Sequence, residues 1–350
     1  MVIKSSVRTY KVQFVEDFAE ALSAAASQPG HFTVIDNTVY NLYKNVVDDN
    51  IKGPLLKVIA IEENKTYGQT GKFITELLGM GLRKNNSLLV IGGGIVQDIG
   101  GFMASVLFRG IEYTLVPTTL LAQCDSCIGS KTSLNIANFK NQLGTFYPPT
   151  EVIVSSSVLK TLQPHELKSG ICEAMKLAMV EGPEATRQMR EALKDGLKAE
   201  ALRTTVGQAL AIKKAFIEED EFDKGLRNLL NYGHTFGHAF ESVSGYRIPH
   251  GVAVGIGIVA ANFYSWKLAM ISEAEYLETL KLMRPWCQEY LPVVGSLNTD
   301  ELFAAMKSDK KSTSGQVGFI LTRGLGKMER VQLGTEESGQ LLKDWLGTVR

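Results

Sequence analysis

Net charge is the first thing missing. The chain sets 37 Lys and Arg against 37 Asp and Glu, so no field of one sign covers it. That excludes the broad basic surface by which proteins hold nucleic acid or anionic membranes without specificity. Any anion site has to be a local cluster. Cysteine is scarce too, and four Cys among 350 residues build no disulfide framework. Cys124 and Cys127 form one CxxC, but a zinc ribbon needs a second pair, so both are expected as buried or helix-start thiols. Long apolar runs are also lacking. "GVAVGIGIVAANFY" (251–264) comes nearest but falls short of the roughly 20 residues that span a bilayer, and it reads as a buried helix softened by glycine. The opening "MVIKSSVRTYKVQF" has no apolar stretch of the signal-peptide kind. The expectation is a cytoplasmic protein with no membrane and no nucleic-acid partner.

With 45% hydrophobic and 21% charged residues the composition is that of an ordinary globular protein. The length exceeds one comfortable core, which implies two domains. In the first part, short β-branched runs alternate with helical patterns: "TYKVQFV", "HFTVIDN", "LLKVIAI", "SLLVIGG", "YTLVPTT" and "EVIVSS". Such alternation predicts βαβ units and a mostly parallel, Rossmann-like sheet. Ligands in these sheets lie beyond the C-terminal ends of the strands, where Asp36, Glu62, Gly92, Thr118 and Thr119 fall on one rim. After about residue 158 the apolar spacing turns helical, and "SGQVGFILTRGLGKMERVQL" returns late as a hairpin. The reading is an α/β domain over 1–157 and a mainly helical domain over 158–350, with a small-molecule cleft between them.

Three segments carry chemistry. "GGGIVQDIGGF" (92–102) follows a strand and opens a helix; glycines there let a ligand come close to backbone, and a helix N-terminus offers free N–H groups to a diphosphate. In "NYGHTFGHAFESVSGYRIPHG", His234 and His238 stand four apart on one helical face, and His250 follows a Gly-Tyr turn able to fold back. Arg227, Asn231, His234 and His238 read as one polar helical stripe. Imidazoles plus a carboxylate suit zinc, and Glu173 in "GICEAMK", one turn before Lys176, is the carboxylate candidate. From these residues alone His234 and His238 are equal candidates. The third segment, "DSCIGSKTSLNIANFKNQLGTFYPP" (125–149), sets Asp125, Lys131, Asn135, Lys140 and Asn141 on what reads as a loop, with Arg109 and Arg227 as further cations for a phosphate.

Taken together, "GGGIVQDIGGF", "FRGIEYTLVPTTLLAQCDS", "SKTSLN…FKNQLGTFYPP", "GICEAMK", "GLRNLLNYGHTFGHA" and "PHG" resemble, in order and spacing over nearly the whole chain, the sugar-phosphate cyclases of the dehydroquinate synthase family. The resemblance implies zinc, or cobalt in its place, on Glu173, His234 and His250. It implies NAD along Asp36, Glu62, Lys65, Gly93, Gly94, Asp98, Thr118, Thr119, Lys140 and Thr161. Substrate would be held or worked on by Asp125, Lys131, Asn141, Lys176, Lys213, Arg227, Asn231 and His238, with a lysine of "DKK" (Lys310 or Lys311). Arg109 would reach a neighbouring subunit's site, implying a homodimer. The implied reaction is that of a carbon–oxygen lyase of aromatic amino acid biosynthesis, the shikimate route. Transient oxidation, phosphate elimination, re-reduction and aldol closure convert 3-deoxy-arabino-heptulosonate 7-phosphate to 3-dehydroquinate. Gln97, Ser130 and "NIANFKN" depart from the usual family pattern, which keeps cyclases of the 2-deoxy-scyllo-inosose and 2-epi-5-epi-valiolone type, and more distantly a polyol dehydrogenase, as alternatives.

Overall fold

The computed structural model describes residues 1–27, 29–137, 139–308 and 315–349. These form two compact units, one of 1–162 with 197–222 and one of 163–196 with 223–350. The sequence places a single boundary at 157/158; the structure instead returns 197–222 to the first unit.

The first unit is built on strands β1 (Val2–Ile3), β2 (Tyr10–Phe14), β3 (His31–Asp36), β4 (Leu55–Val58), β5 (Ser87–Gly92), β6 (Tyr113–Pro117), β7 (Lys131–Ile136), β8 (Phe139–Phe146) and β9 (Glu151–Val154). Its helices are α1 (Phe18–Ala25), α2 (Asn37–Leu42), α3 (Lys44–Asn50), α4 (Tyr67–Gly79) and α5 (Gly94–Val106). All six β-branched runs form strands. Seven strands make one sheet in the order β1-β2-β9-β6-β5-β3-β4, with every pairing parallel except β1 with β2. β3 and β5 are buried on both faces after their first residue, as a sheet covered on both sides requires. From β3 the chain steps outward to β4, then crosses back to β5 and on to β6. That reversal opens a crevice beyond the ends of β3 and β5, at Asp36 and Gly93.

The stretch read as a phosphate loop is instead an antiparallel hairpin, β7 with β8, Lys131 facing Phe146 and Leu134 facing Leu143. Asn, Lys and Gly argue against strand by propensity, but cross-strand pairing overrides so weak a preference. Four of the five glycines in 92–102 answer to packing within the protein: a Cβ at Gly92 would strike Val96, at Gly93 Thr119, at Gly100 Val90 and at Gly101 Thr132, all within 3.0 Å. Gly94 alone has ordinary clearance, 3.6 Å from Ser126 Oγ. The glycines therefore serve first to lay α5 against the sheet.

The second unit contains α6 (Pro164–Glu181) and α7 (Pro183–Leu193). Helix α8 (Ala199–Glu219) then crosses to the first unit, where it packs on a π-turn over Ala122–Ser126 and a 3-10 segment over Ser156–Thr161. The second unit resumes with α9 (His234–Val243), α10 (His250–Lys267), α11 (Glu273–Cys287), α12 (Leu291–Gly295) and α13 (Thr299–Lys307). The hairpin β10 (Gln316–Thr322) and β11 (Met328–Gly334) forms where expected and leads into α14 (Thr335–Val349). Helix α10 is buried almost throughout, and its glycines have partners: a Cβ at Gly255 would lie 2.7 Å from Cys172 Sγ on α6, one at Gly251 would overlap the Ser169 carbonyl, and one at Gly257 would overlap that of Gly233. Backbone-to-backbone approach therefore locks α6, α9 and α10 together. Phe236, Tyr264 and Phe319 form the aromatic core beside them, with ring centroids 4.8–5.3 Å apart. Among the described residues no helix is long and apolar enough to cross a membrane, and all four cysteines are buried free thiols.

Candidate active site

In the first unit the rim of the sheet is roofed by the β7–β8 hairpin. Lys65 pairs with Asp98 on α5 at 2.5 Å and donates to Asn141 Oδ1 at 2.8 Å. Ser133 donates to Asp98 at 3.0 Å, and Asn135 donates to Glu62 at 2.8 Å while accepting the Asn141 amide at 2.9 Å. Lys140 lies 3.6 Å from Glu62. Seven polar side chains, from the 62–65 turn, α5, β7 and β8, are thus tied into one network. Burial pushes the Asp98 carboxyl up, against the pull of Lys65 and Ser133, so its charge depends on that lysine. Asp36 caps α2 through the Thr38 amide at 2.8 Å. Thr119 accepts from the Ala122 amide, and Thr161 joins the Tyr43 hydroxyl at 3.2 Å. Thr118 Oγ1, at the end of β6, is buried without a hydrogen-bond partner among the described residues. Gly93, the residue before α5, offers no side chain to cap that helix.

Two further positions meet on α8. Lys213 forms an ion pair with the Asp125 carboxylate and donates to its carbonyl at 2.6 Å. Ser126, next to Asp125, donates to Gln97 Oε1 at 2.8 Å, giving the unusual Gln97 a structural task. Lys131 opens β7 with its side chain exposed. Arg109 is exposed on a turn where Phe108 and Arg109 both have positive φ, 51° and 66°.

The second unit assembles the other group. The polar stripe 227–238 is not one helix: a 3-10 turn over Leu226–Asn231 ends at Tyr232, and Gly233, at φ 79°, re-aims the chain into α9. No residue with a Cβ fits there, because Val254 O and Ile258 N would lie 2.8 Å away. Glu173, 2% exposed on α6, gives one carboxylate oxygen to Lys176 at 2.5 Å. Its other oxygen, Oε1, is buried with no hydrogen-bond partner among the described residues, yet it faces His250 Nε2 at 3.4 Å and His234 Nε2 at 3.8 Å. The opposite nitrogens are engaged: His250 Nδ1 meets Glu241 at 3.1 Å, and His234 Nδ1 meets the Tyr232 carbonyl at 3.3 Å. Burial works against protonation of His250, and the hydrogen bond and charge of Glu241 outweigh it, so its pKa stands above the ordinary imidazole value.

This arrangement could hold a divalent metal: a buried carboxylate oxygen lies within 3.8 Å of two imidazole nitrogens, and each imidazole is oriented by a partner on its far side. His238, one turn beyond His234 and exposed, also brings a ring nitrogen within 4.8 Å of His234 and His250. Arg227 is buried in the same 3-10 turn as Asn231, whose side-chain amide donates to the Asn228 carbonyl at 3.1 Å. Lys310 and Lys311 lie outside the described residues.

Comparison with known proteins decides the family. Residues 55–169 match the N-terminal profile of 3-dehydroquinate synthase and residues 170–312 its C-terminal profile. The chain belongs to the 3-dehydroquinate synthase family. A 3-dehydroquinate synthase of Thermoanaerobacter pseudethanolicus is 32% identical over 349 residues, covering 96% of this chain and 97% of that protein. Among solved structures, a 2-deoxy-scyllo-inosose synthase complexed with carbaglucose-6-phosphate, NAD+ and Co2+ shares the fold with a TM-score of 0.88 at 21% identity, covering 98% of this chain and 99% of that one. The 2-epi-5-epi-valiolone synthase of Streptomyces hygroscopicus subsp. jinggangensis 5008, with NAD+ and Zn2+ bound, gives 0.84 at 24% identity over the full length of both chains. Within this family member, sequence reasoning missed Glu241, Ser133 and the Tyr232 carbonyl. Glu241 looks like any solvated helix residue until His250 returns to meet it on α9.

Proposed function

We propose that the chain is a cytoplasmic, homodimeric, metal- and NAD-dependent cyclase that converts 3-deoxy-arabino-heptulosonate 7-phosphate to 3-dehydroquinate with release of phosphate. The observation that carries this reading is Glu173 Oε1, buried, without a hydrogen-bond partner among the described residues and facing two oriented imidazole nitrogens. When bound, zinc supplies Lewis acidity to a substrate hydroxyl, and NAD supplies an acceptor and donor of hydride.

The chain's own residues do the rest. Glu173, His234 and His250 hold the metal, and Lys176 balances the charge of Glu173's second oxygen. His238, exposed next to them, hydrogen-bonds the phosphate, while Asn231 and Arg227 orient the sugar chain from the same turn. The amides at the start of α5, with Gly94 leaving room, bind the diphosphate of the dinucleotide. Asp36, Glu62, Lys65, Asp98, Thr118, Thr119, Lys140 and Thr161 line its remainder. Lys131 and Asn141 on the hairpin are further anion ligands, with Arg109 serving a partner subunit.

One observation favours a second reading. Lys213, which the resemblance together with Arg227 implies for a substrate carboxylate, is already ion-paired with Asp125, which suits a neutral sugar phosphate. Phosphate release from seven-carbon acid and neutral six- and seven-carbon phosphates, with NAD and zinc supplied, separates the two. Arg227→Ala should reduce turnover of the acid far more than of the neutral sugars; equal losses would remove the case for a carboxylate substrate. Glu173→Gln should lose zinc while still binding NAD, and a variant with full metal content and activity would overturn the ligand assignment.

A further inference from the structure

Gln97 departs from the usual family pattern, and the structure buries its side chain between two segments of the first unit. It lies one turn into α5, next to Asp98. Its Nε2 donates to the carbonyl of Gly92, the last residue of β5, at 3.5 Å, and that carbonyl also receives the Thr118 amide at 3.1 Å. Its Oε1 accepts from the Ser126 hydroxyl at 2.8 Å. With Nε2 turned to a carbonyl, the amide has only its oxygen to give Ser126, so the serine must donate. Ser126 is exposed, and its Oγ is 3.6 Å from the point where Gly94 would carry a Cβ, which places it over the first residue of α5. The hydroxyl at the opening of α5 is therefore a fixed acceptor, its lone pairs left for a ligand's O–H or N–H.

The segment is held from its other side too. Lys213 donates to the Asp125 carbonyl at 2.6 Å and ion-pairs with its carboxylate, and the π-turn 122–126 is closed by the Cys127 amide on the Ala122 carbonyl at 3.1 Å. A second feature at this end of the sheet calls for a ligand. Thr118 Oγ1 is buried with no hydrogen-bond partner among the described residues, a state that costs free energy until something bonds it. We propose that Gln97 is a positioning residue for the dinucleotide: by taking the Ser126 proton, it holds that hydroxyl beside the start of α5 as an acceptor for a ribose hydroxyl next to the diphosphate. The proposal rests on the cofactor reading above.

The test titrates NAD calorimetrically into the full chain and its variants, with a urea midpoint for each. Ser126→Ala removes the acceptor and should weaken NAD about fivefold, the value of about one hydrogen bond. Ser126→Thr keeps the hydroxyl and should bind as the parent does. Gln97→Met fills the same space without an acceptor; the freed hydroxyl should also cost about fivefold, and adding Ser126→Ala to it should cost no more. Ser126→Ala, an exposed change, should keep the parent's urea midpoint. Unchanged NAD affinity in Ser126→Ala, or losses that multiply in the double variant, would overturn the role. So would affinity that falls only where the urea midpoint falls, since that is damage to the fold. If Gln97→Met does not fold, the contrast of Ser126→Ala with Ser126→Thr decides. Parent protein that binds no NAD would overturn the cofactor reading, and this role with it.

Discussion

Replacing Glu241 tests the metal centre without touching a ligand. Its carboxylate meets His250 Nδ1 at 3.1 Å, which fixes the ring so that Nε2 faces Glu173. Losing such an outer partner typically weakens metal binding 10- to 100-fold, or about 1.4–2.8 kcal/mol at 1.4 kcal/mol per tenfold. Glu241→Gln keeps an acceptor but loses the charge, so it should fall near the lower figure, and Glu241→Ala near the upper. The pH profile adds a second criterion. Zinc needs neutral imidazole, and Glu241 holds the His250 pKa above its usual value. In the parent, affinity should therefore begin to fall at a higher pH than in Glu241→Ala, where proton competition sets in later. The penalty of the substitution should be largest near pH 8 and shrink toward pH 6. Competition against a chromophoric chelator measures both. Unchanged affinity at pH 8, or a penalty that grows as pH falls, would refute the orienting role.

Other substitutions probe the frame. Gly251→Ala drives a Cβ into the Ser169 carbonyl on α6; backbone cannot yield cheaply, so a loss of about 3 kcal/mol or more in chemical denaturation is expected, at the upper end of overpacking costs. Gly100→Ala meets the Val90 side chain instead, 2.6 Å away, and should cost about 1–3 kcal/mol. Lys65→Met removes the cation that opposes burial of Asp98. The native state then holds a proton on Asp98 to a higher pH than the unfolded chain does, so stability falls as pH rises between the two pKa values. The variant should accordingly lose more stability at pH 8 than at pH 5; urea midpoints that shift equally at both would count against the network.

How much of this was legible depended on whether the physics was local. β-branched runs specify buried parallel strands whatever surrounds them, and all six formed. The hairpin 131–146 escaped notice because its Lys, Asn and Gly residues are poor strand formers, and only the partner strand and the rim beneath make it worthwhile. The stripe Arg227–His238 had the right period, but a single left-handed glycine at 233 splits it, and nothing short of the Val254 and Ile258 backbone says why that glycine must turn. Likewise α8 follows α7 in sequence but belongs with the sheet, since its partners lie around residues 122–126 and 156–161. The three histidines stood out by residue type. Glu241 did not, because a glutamate on a helix signals nothing until its neighbour is known.

The contacts of Gly251, Gly255 and Gly257 reach beyond stability. They make the span from Glu173 to His234 and His250 a matter of how closely three rods can be stacked, rather than of how three side chains happen to bend. An ion of different radius would then be accommodated by respacing the rods. Efforts to retune the centre for another cation should begin at these small residues and their carbonyl neighbours, leaving the donor atoms as they are.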